Sequence, residues 1–339
     1  MSLVENVFVH FGLVITTTTN KLTASETIFD FNNYPHSPIF DMSYTEEQLD
    51  RYFQHINYPR EIHASDRLQL LTELQAHQLA RVPFESLTLH YSKHRHVSLD
   101  LEDLFVKVVV QGKGGYCMEL NALFGAVLKG LGFELTSVGG KIKGEERFGG
   151  WSHMLNLVTV DGQRYMVDVG FGKGATMVPV PLRRDSSPEF TTIAPLRGKL
   201  VYEKLEQNTD AGQRMWVYYS TDSADGPFRQ RNCFTEQEFF PEDFEVMNWA
   251  VMSRPTSYFV KTVLCMRTIL NPDTRRAEGT VVLHKDEVKR KIGDKVEVLE
   301  TLKNEAERVR AIEKYFFIAL TPAEQKAIRG MPQELLETK

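Results

Sequence analysis

The sequence predicts an α+β chain, and three observations carry that prediction. After Met42, apolar residues recur at helical spacing through the first third. The middle changes to runs rich in β-formers, two of them separated by Asp161-Gly162. A helical period returns over residues 304–318. The chain has 339 residues, enough for about two domains at roughly 150 residues each.

In chain order, residues 1–41 show no sustained period. Their four consecutive threonines, Asn32-Asn33 and two prolines mark a peripheral extension. Thr45 and Gln48 then have capping-box spacing, and Leu49, Tyr52, Phe53 and Ile56 follow on one helical face. Pro59 ends that helix. Ser65 is the expected cap of a second helix through Leu68, Leu71, Leu74 and Leu79. A third is expected from about Met118, through Leu120, Leu123, Phe124, Val127 and Leu128, with Gly132 as its terminal glycine.

Residues 154–160 and 163–169 read as a hairpin, and 199–205, 214–220 and 279–284 as further strands. Residues 183–188 are a polar loop. Gly293-Asp294 marks a second hairpin between Val288/Ile292 and Val296/Val298.

Composition excludes several classes. Apolar residues are 42% and charged residues 25%, ordinary for a water-soluble globular protein. The net charge is −5 and the basic residues form no block, which argues against nucleic-acid and membrane partners. The longest apolar stretch, within Val7 to Ile15, is too short to span a bilayer and lacks the flanks of a secretory leader. Three cysteines make no disulfide framework and fit a reducing, cytoplasmic compartment. No Cys/His group has metal spacing, so no metal is expected. His90, His94 and His96, interleaved with Lys93 and Arg95, read as a solvated loop. Gly112-Lys113-Gly114-Gly115 lacks P-loop spacing. Residues 170–174 are followed by prolines instead of the helix that a dinucleotide fingerprint needs.

The chemistry gathers on three residues. Cys117 stands just ahead of the third helix, where unsatisfied N–H groups and the helix dipole favour thiolate. His153 opens the first hairpin strand. Asp168 lies near the end of its partner, in an otherwise apolar run. With Asp161-Gly162 as a two-residue turn, Val160 pairs with Gln163 and Leu155 faces Asp168, so His153 and Asp168 become diagonal neighbours on one face. A carboxylate buried there needs a partner, and the imidazole supplies one. A thiolate attacks an activated carbonyl, an imidazole moves the proton, and a carboxylate orients the imidazole. A cysteine at a helix N-terminus with its histidine on a sheet is the arrangement of papain-like enzymes.

Lys113-Gly114-Gly115-Tyr116-Cys117-Met118-Glu119-Leu120-Asn121 resembles the active-site signature of the arylamine N-acetyltransferases, Arg-Gly-Gly-x-Cys-x-Glu-x-Asn. Val82-Pro83-Phe84-Glu85-Ser86-Leu87 resembles their Pro-Phe-Glu-Asn-Leu segment. Residues 153–158 resemble the strand that carries their catalytic histidine, and Val167-Asp168-Val169-Gly170-Phe171-Gly172 their Val-Asp-x-Gly-Phe-Gly. The likeness runs from about Met42 to the end and weakens after about residue 180.

The resemblance implies a helical bundle (42–132) carrying Cys117, a β-barrel (133–245) carrying His153 and Asp168, and a C-terminal α/β lid (246–339). The core would be cysteine-protease-like. It implies ping-pong transfer of an acyl group from acyl-coenzyme A to an arylamine or arylhydrazine through a Cys117 thioester. No cofactor is tightly bound, since acetyl-CoA or malonyl-CoA is a substrate. Phe84 and Phe171 match positions near the acceptor pocket, and Gly149 and Gly150 match positions beside coenzyme A. Two departures stand out. Lys113 replaces the signature arginine, which in the family pairs with the glutamate matching Glu85, and Ser86 replaces the usual asparagine. A cysteine hydrolase or transglutaminase-like enzyme with the same triad, and a non-catalytic binding protein, are the competing readings. Donor, preferred amine and oligomeric state stay open.

Overall fold

In a computed structural model the described residues are 43–336, so the expected extension at 1–41 lies outside them. The first third is helical. Helix α1 (Glu46–His55) opens on the expected box, with Gln48 N–H donating to Thr45 Oγ1 and Thr45 N–H to Gln48 Oε1. Helix α2 spans Arg67–Arg81. Its cap is Asp66 rather than Ser65, because the Asp66 carboxylate reaches the Gln69 N–H at 2.7 Å. Strand β1 (Phe84–Glu85), helix α3 (Thr88–Tyr91) and helix α4 (Leu101–Phe105) follow. Helix α4 runs on into a π-helical turn, Val106–Val110. Helix α5 (Cys117–Gly130) begins one residue earlier than its apolar spacing indicates, so Cys117 is its first residue. Gly132 ends it with φ +70°.

Strands β2 (Glu134–Lys143), β3 (Phe148–Val160), β4 (Gln163–Val167), β5 (Val180–Pro181), β6 (Phe190–Thr191), β7 (Arg197–Glu203), β8 (Met215–Ser220) and β9 (Arg229–Glu238) make one antiparallel sheet. Its order is β5-β4-β3-β2-β9-β8-β7-β6, and it curls into a half-barrel. Val160 pairs with Gln163 across Asp161 and Gly162, both at positive φ, as a two-residue turn requires. Helices α6 (Pro241–Ser253) and α7 (Tyr258–Lys261) lead to strands β10 (Leu264–Leu270), β11 (Ala277–His284), β12 (Glu287–Ile292) and β13 (Lys295–Thr301). These form the second sheet, with β1 on the edge of β10. Gly293-Asp294 is the expected turn between β12 and β13. Helices α8 (Glu305–Phe316) and α9 (Pro322–Ala327) close the chain, α8 capped by Asn304. The spacing analysis missed β2, β9, β10 and α6, whose apolar residues do not follow one clean period.

The main core joins α1, α2 and α5 through Leu49, Tyr52, Phe53, Leu71, Leu74 and Phe124, all essentially inaccessible. Each such side chain contributes about 1.5–3 kcal/mol by burial. A second core fills the half-barrel with Val138, Leu155, Leu157, Met166, Trp216, Tyr218 and Phe234. Helix α5 lies on β3, where Asn156 Nδ2 donates to the Asn121 carbonyl at 2.9 Å. That contact sets the helix bearing Cys117 against the strand bearing His153.

Candidate active site

Cys117 owes its place to the backbone before it. The Tyr116 N–H donates to Glu119 Oε2 at 2.9 Å, which caps α5 and starts the helix at the cysteine. A side chain on Gly114 would strike the Pro83 carbonyl at 1.8 Å, so only glycine lets this loop pass β1. The Cys117 thiol faces the Ser152 carbonyl at 3.6 Å and is nearly buried.

The imidazole of His153 donates from Nε2 to Asp168 Oδ2 at 2.6 Å. Its other nitrogen, Nδ1, is not used by Asp168, and the Cys117 thiol lies against the carbonyl of Ser152, the residue before His153. Both His153 and Asp168 are fully enclosed. Burial pulls the imidazole toward its neutral form. The Asp168 carboxylate outweighs that, with Cys117 adding to it, and the pKa of His153 rises to about 10.

Strand β4 stops at Val167, the partner of Asn156, short of the expected Leu155–Asp168 pair. Side chains take the donors that a ladder would use. Val169 N–H donates to Asn121 Oδ1 at 3.1 Å, and Gly170 N–H to Asp168 Oδ1 at 2.9 Å. Asn121 Nδ2 also donates to that Asp168 oxygen at 3.0 Å and to the Met154 carbonyl at 2.8 Å. Asn121 stands four residues after Cys117, on the same helical face, and that spacing is the signal that marks it. Gly170 is required by contact: a Cβ there would lie 2.6 Å from Cys117 Cα.

The Phe171 ring meets the His153 ring edge to face at 5.4 Å. Phe84 packs into the apolar cluster that contains Cys117 and stands 5.7 Å from the Phe259 ring. Gly149 and Gly150 lie on the exposed start of β3, where a Cβ on Gly150 would touch nothing. Cys117, His153, Asp168 and Phe171 thus come together, while the two glycines are exposed, a Cβ on Gly149 meeting only the Ile142 carbonyl at 3.7 Å.

Lys113 does not hold Glu85. It pairs with Glu324 on α9. The cation at Glu85 is Lys107, from the π-helical turn, 3.6 Å from Glu85 and 2.6 Å from Glu119. The one-residue widening of that turn carries Lys107 under the capping carboxylate, and nothing in the local sequence signals it. His90 also departs from the solvated-loop reading: it is buried and donates to the Phe259 carbonyl at 2.8 Å. Cys233 and Cys265 are buried, and burial pushes both thiols up.

A thiol on a helix N-terminus, an imidazole on a strand and a carboxylate one residue past the neighbouring strand resemble the arrangement of papain-like thiol enzymes. Comparison with known proteins narrows the class. A family model described as N-acetyltransferase matches residues 67–325. The chain is 32% identical to N-malonyltransferase FDB2 of Fusarium pseudograminearum (strain CS3096), over 86% of this chain and 93% of that protein. It is 30% identical to arylamine N-acetyltransferase 1 of Homo sapiens, over 66% and 78%. The crystal structure of Nocardia farcinica arylamine N-acetyltransferase superposes with a TM-score of 0.73 at 29% identity, covering 88% of this chain and 99% of that one. The Mycobacterium marinum enzyme in complex with CoA shares the fold at a TM-score of 0.68 and 23% identity, over 83% and 97%. The chain belongs to the arylamine N-acetyltransferase family and is an acyltransferase.

Proposed function

We propose that this chain moves a short acyl group from acyl-coenzyme A to an aromatic amine or hydrazine nitrogen through a thioester on Cys117. The observation that carries the mechanism is the buried His153 Nε2–Asp168 Oδ2 contact of 2.6 Å, which leaves Nδ1 for the thiol. Nδ1 takes the Cys117 proton, and the thiolate attacks the carbonyl carbon of the donor. The N–H of Cys117, a first-turn donor without a helical acceptor, faces the oxyanion that forms. The C–S bond to coenzyme A breaks, and its thiolate takes the proton from His153. The amine then attacks the acyl-enzyme, Nδ1 accepts its proton, and Cys117 leaves as thiolate and recovers that proton.

Asp168 holds the imidazole in the tautomer that both steps use. Aromatic amines are neutral near pH 7 and therefore nucleophilic. Phe84 and Phe171 supply an apolar surface for the acceptor ring, and a dry pocket disfavours hydrolysis. The open backbone at Gly149 and Gly150 is the assigned approach for coenzyme A.

A malonyl donor is the favoured form of the reaction. The malonyltransferase relative matches 86% of this chain and the human acetyltransferase 66%. Three free cysteines suit a reducing compartment, and we assign the protein to the cytoplasm. No helix among the described residues is long and apolar enough to cross a membrane.

The test is intact-protein mass after mixing with acetyl-CoA and, separately, malonyl-CoA, without acceptor. A one-acyl adduct discharged by an aromatic amine supports the mechanism and names the donor. Absence of both adduct and free coenzyme A, with either donor, refutes it.

A further inference from the structure

A cleft of about 180 Å³ opens beside Glu85, away from the acyl chemistry. Successive strand residues project to opposite faces, so Phe84 packs into the cluster that holds Cys117 while Glu85 lines the cleft. Three segments far apart in the chain make its walls. They are α3, the π-helical turn with the loop after it, and the stretch from Ile318 to Glu324. Leu87, Ile318 and Leu320 give it an apolar side. Glu85, Lys107, Lys113 and Glu324 give it a charged one.

The charged side does not balance. Lys113 is matched by Glu324, and Glu305, which holds the Tyr91 hydroxyl at the cleft wall, is matched by Arg308. Lys107 has two carboxylates, Glu119 at 2.6 Å and Glu85 at 3.6 Å. Only the shorter distance is a hydrogen bond. Glu85 is 1% exposed, and its Oε2 accepts from the Leu87 N–H. Its Oε1 has the Lys107 ammonium at 3.6 Å and no closer donor among the described residues. Glu85, Glu119 and Glu324 thus share the two ammonium groups of Lys107 and Lys113. An enclosed carboxylate short of a counter-charge is stabilised by a cation that brings its own N–H donors.

We infer that the cleft binds a small apolar molecule with one amidinium, guanidinium or ammonium head. The head sits on Glu85 and the body lies against Leu87, Ile318 and Leu320. The size fits, since a cavity of about 150 Å³ accepts a benzene ring. The ligand relieves the sharing of Lys107 between Glu85 and the carboxylate that caps α5. The inference does not depend on the acyl-transfer reading.

The probes are benzamidine, cationic at neutral pH, and benzamide, which has the same shape without the charge. Each is titrated calorimetrically into the wild-type chain. Benzamidine is expected to bind on the order of 10- to 100-fold tighter, the range for hydrogen bonds to a charged group. Glu85→Gln brings the two affinities together, and Leu320→Trp fills the cleft and abolishes binding of both. Hydrogen exchange of the wild-type chain, read by mass spectrometry, locates the site without a variant and decides the matter where a variant does not fold. Benzamidine is expected to slow exchange over 85–92 and 107–113 and to leave 168–172 unchanged. No binding of benzamidine, equal affinity for the two probes, or a preference that survives in folded Glu85→Gln overturns the inference. Protection over 168–172 without protection over 85–92 also overturns it, by placing the amidine beside Cys117.

Discussion

Lys107 holds Glu119 at 2.6 Å, and Glu119 in turn caps the helix that begins with Cys117. Glu85 lies on the same ammonium at 3.6 Å, so one lysine serves two buried carboxylates. Burial pushes the Glu119 carboxyl up, and Lys107 opposes that shift. Lys107→Met leaves both acids without a cation and is expected to destabilise the fold by about 3–5 kcal/mol. Lys113→Met breaks a more accessible pair with Glu324 and is expected to cost about 1 kcal/mol or less. Urea unfolding of both variants is the check. A larger loss at Lys113 would return the anchoring role to the signature position.

Cys117→Ala removes the proposed acyl carrier without opening a large cavity. Circular dichroism and the urea midpoint are expected to stay near wild type, while acyl-enzyme mass and amine acylation vanish. Turnover surviving in this variant would mean that Cys117 is not the nucleophile.

The His153–Asp168 contact makes stability depend on pH. The folded pKa of His153, about 10, lies above the 6.5 of a free imidazole side chain. Its contribution is therefore fully present below about pH 6.5, declines as pH rises, and is gone above about 10. Asp168→Asn removes the charge that holds the imidazolium. The urea midpoint of this variant is expected to change less than that of wild type between pH 6.5 and 10. Parallel midpoint–pH curves for the two proteins would show that the carboxylate does not hold that proton.

His153→Ala keeps the thiol and deletes the proton acceptor proposed for it. Acylation by the donor is expected to slow by roughly 10²–10⁴-fold, the range for general-base removal. Stopped-flow release of coenzyme A measures it. A loss of less than tenfold would separate His153 from the thiol's chemistry.

Gly170→Ala places a methyl 2.6 Å from Cys117 Cα and 2.8 Å from Asn121 Nδ2. Both neighbours are held, so the loop must shift. The expected cost is about 1–3 kcal/mol of stability, with lost activity from a displaced Asp168. Thermal unfolding and acyl-enzyme yield test the two halves separately, and wild-type values for both would show that the loop yields freely.

The candidate site was legible because it sits on local signals. Asp161-Gly162 set the register that brings His153 toward Asp168, and a glycine-rich approach marked the helix start at Cys117. Legibility failed where a partner came from far along the chain. Strands β2 and β9 lie in the middle of the sheet, yet their inward residues include Gly140 and Asn232, which blur a period of two. The Ser65 expectation failed narrowly, because Ser65 and Asp66 are both good caps and only the backbone turn chooses between them.

By itself the sequence determined the α+β order of the elements and the family, and it singled out Cys117, His153 and Asp168 as the candidate triad. These follow from short-range periodicity, turn chemistry and motif spacing. Only the tertiary structure decided that Lys107, and not Lys113, serves Glu85 and Glu119, and that Asn121 ties the helix to both strands. It alone built the cleft beside the Glu85 carboxylate. The physical reason is common to all three. Pairing of buried polar groups depends on which distant segments are brought within about 3 Å, and spacing along the chain does not encode that.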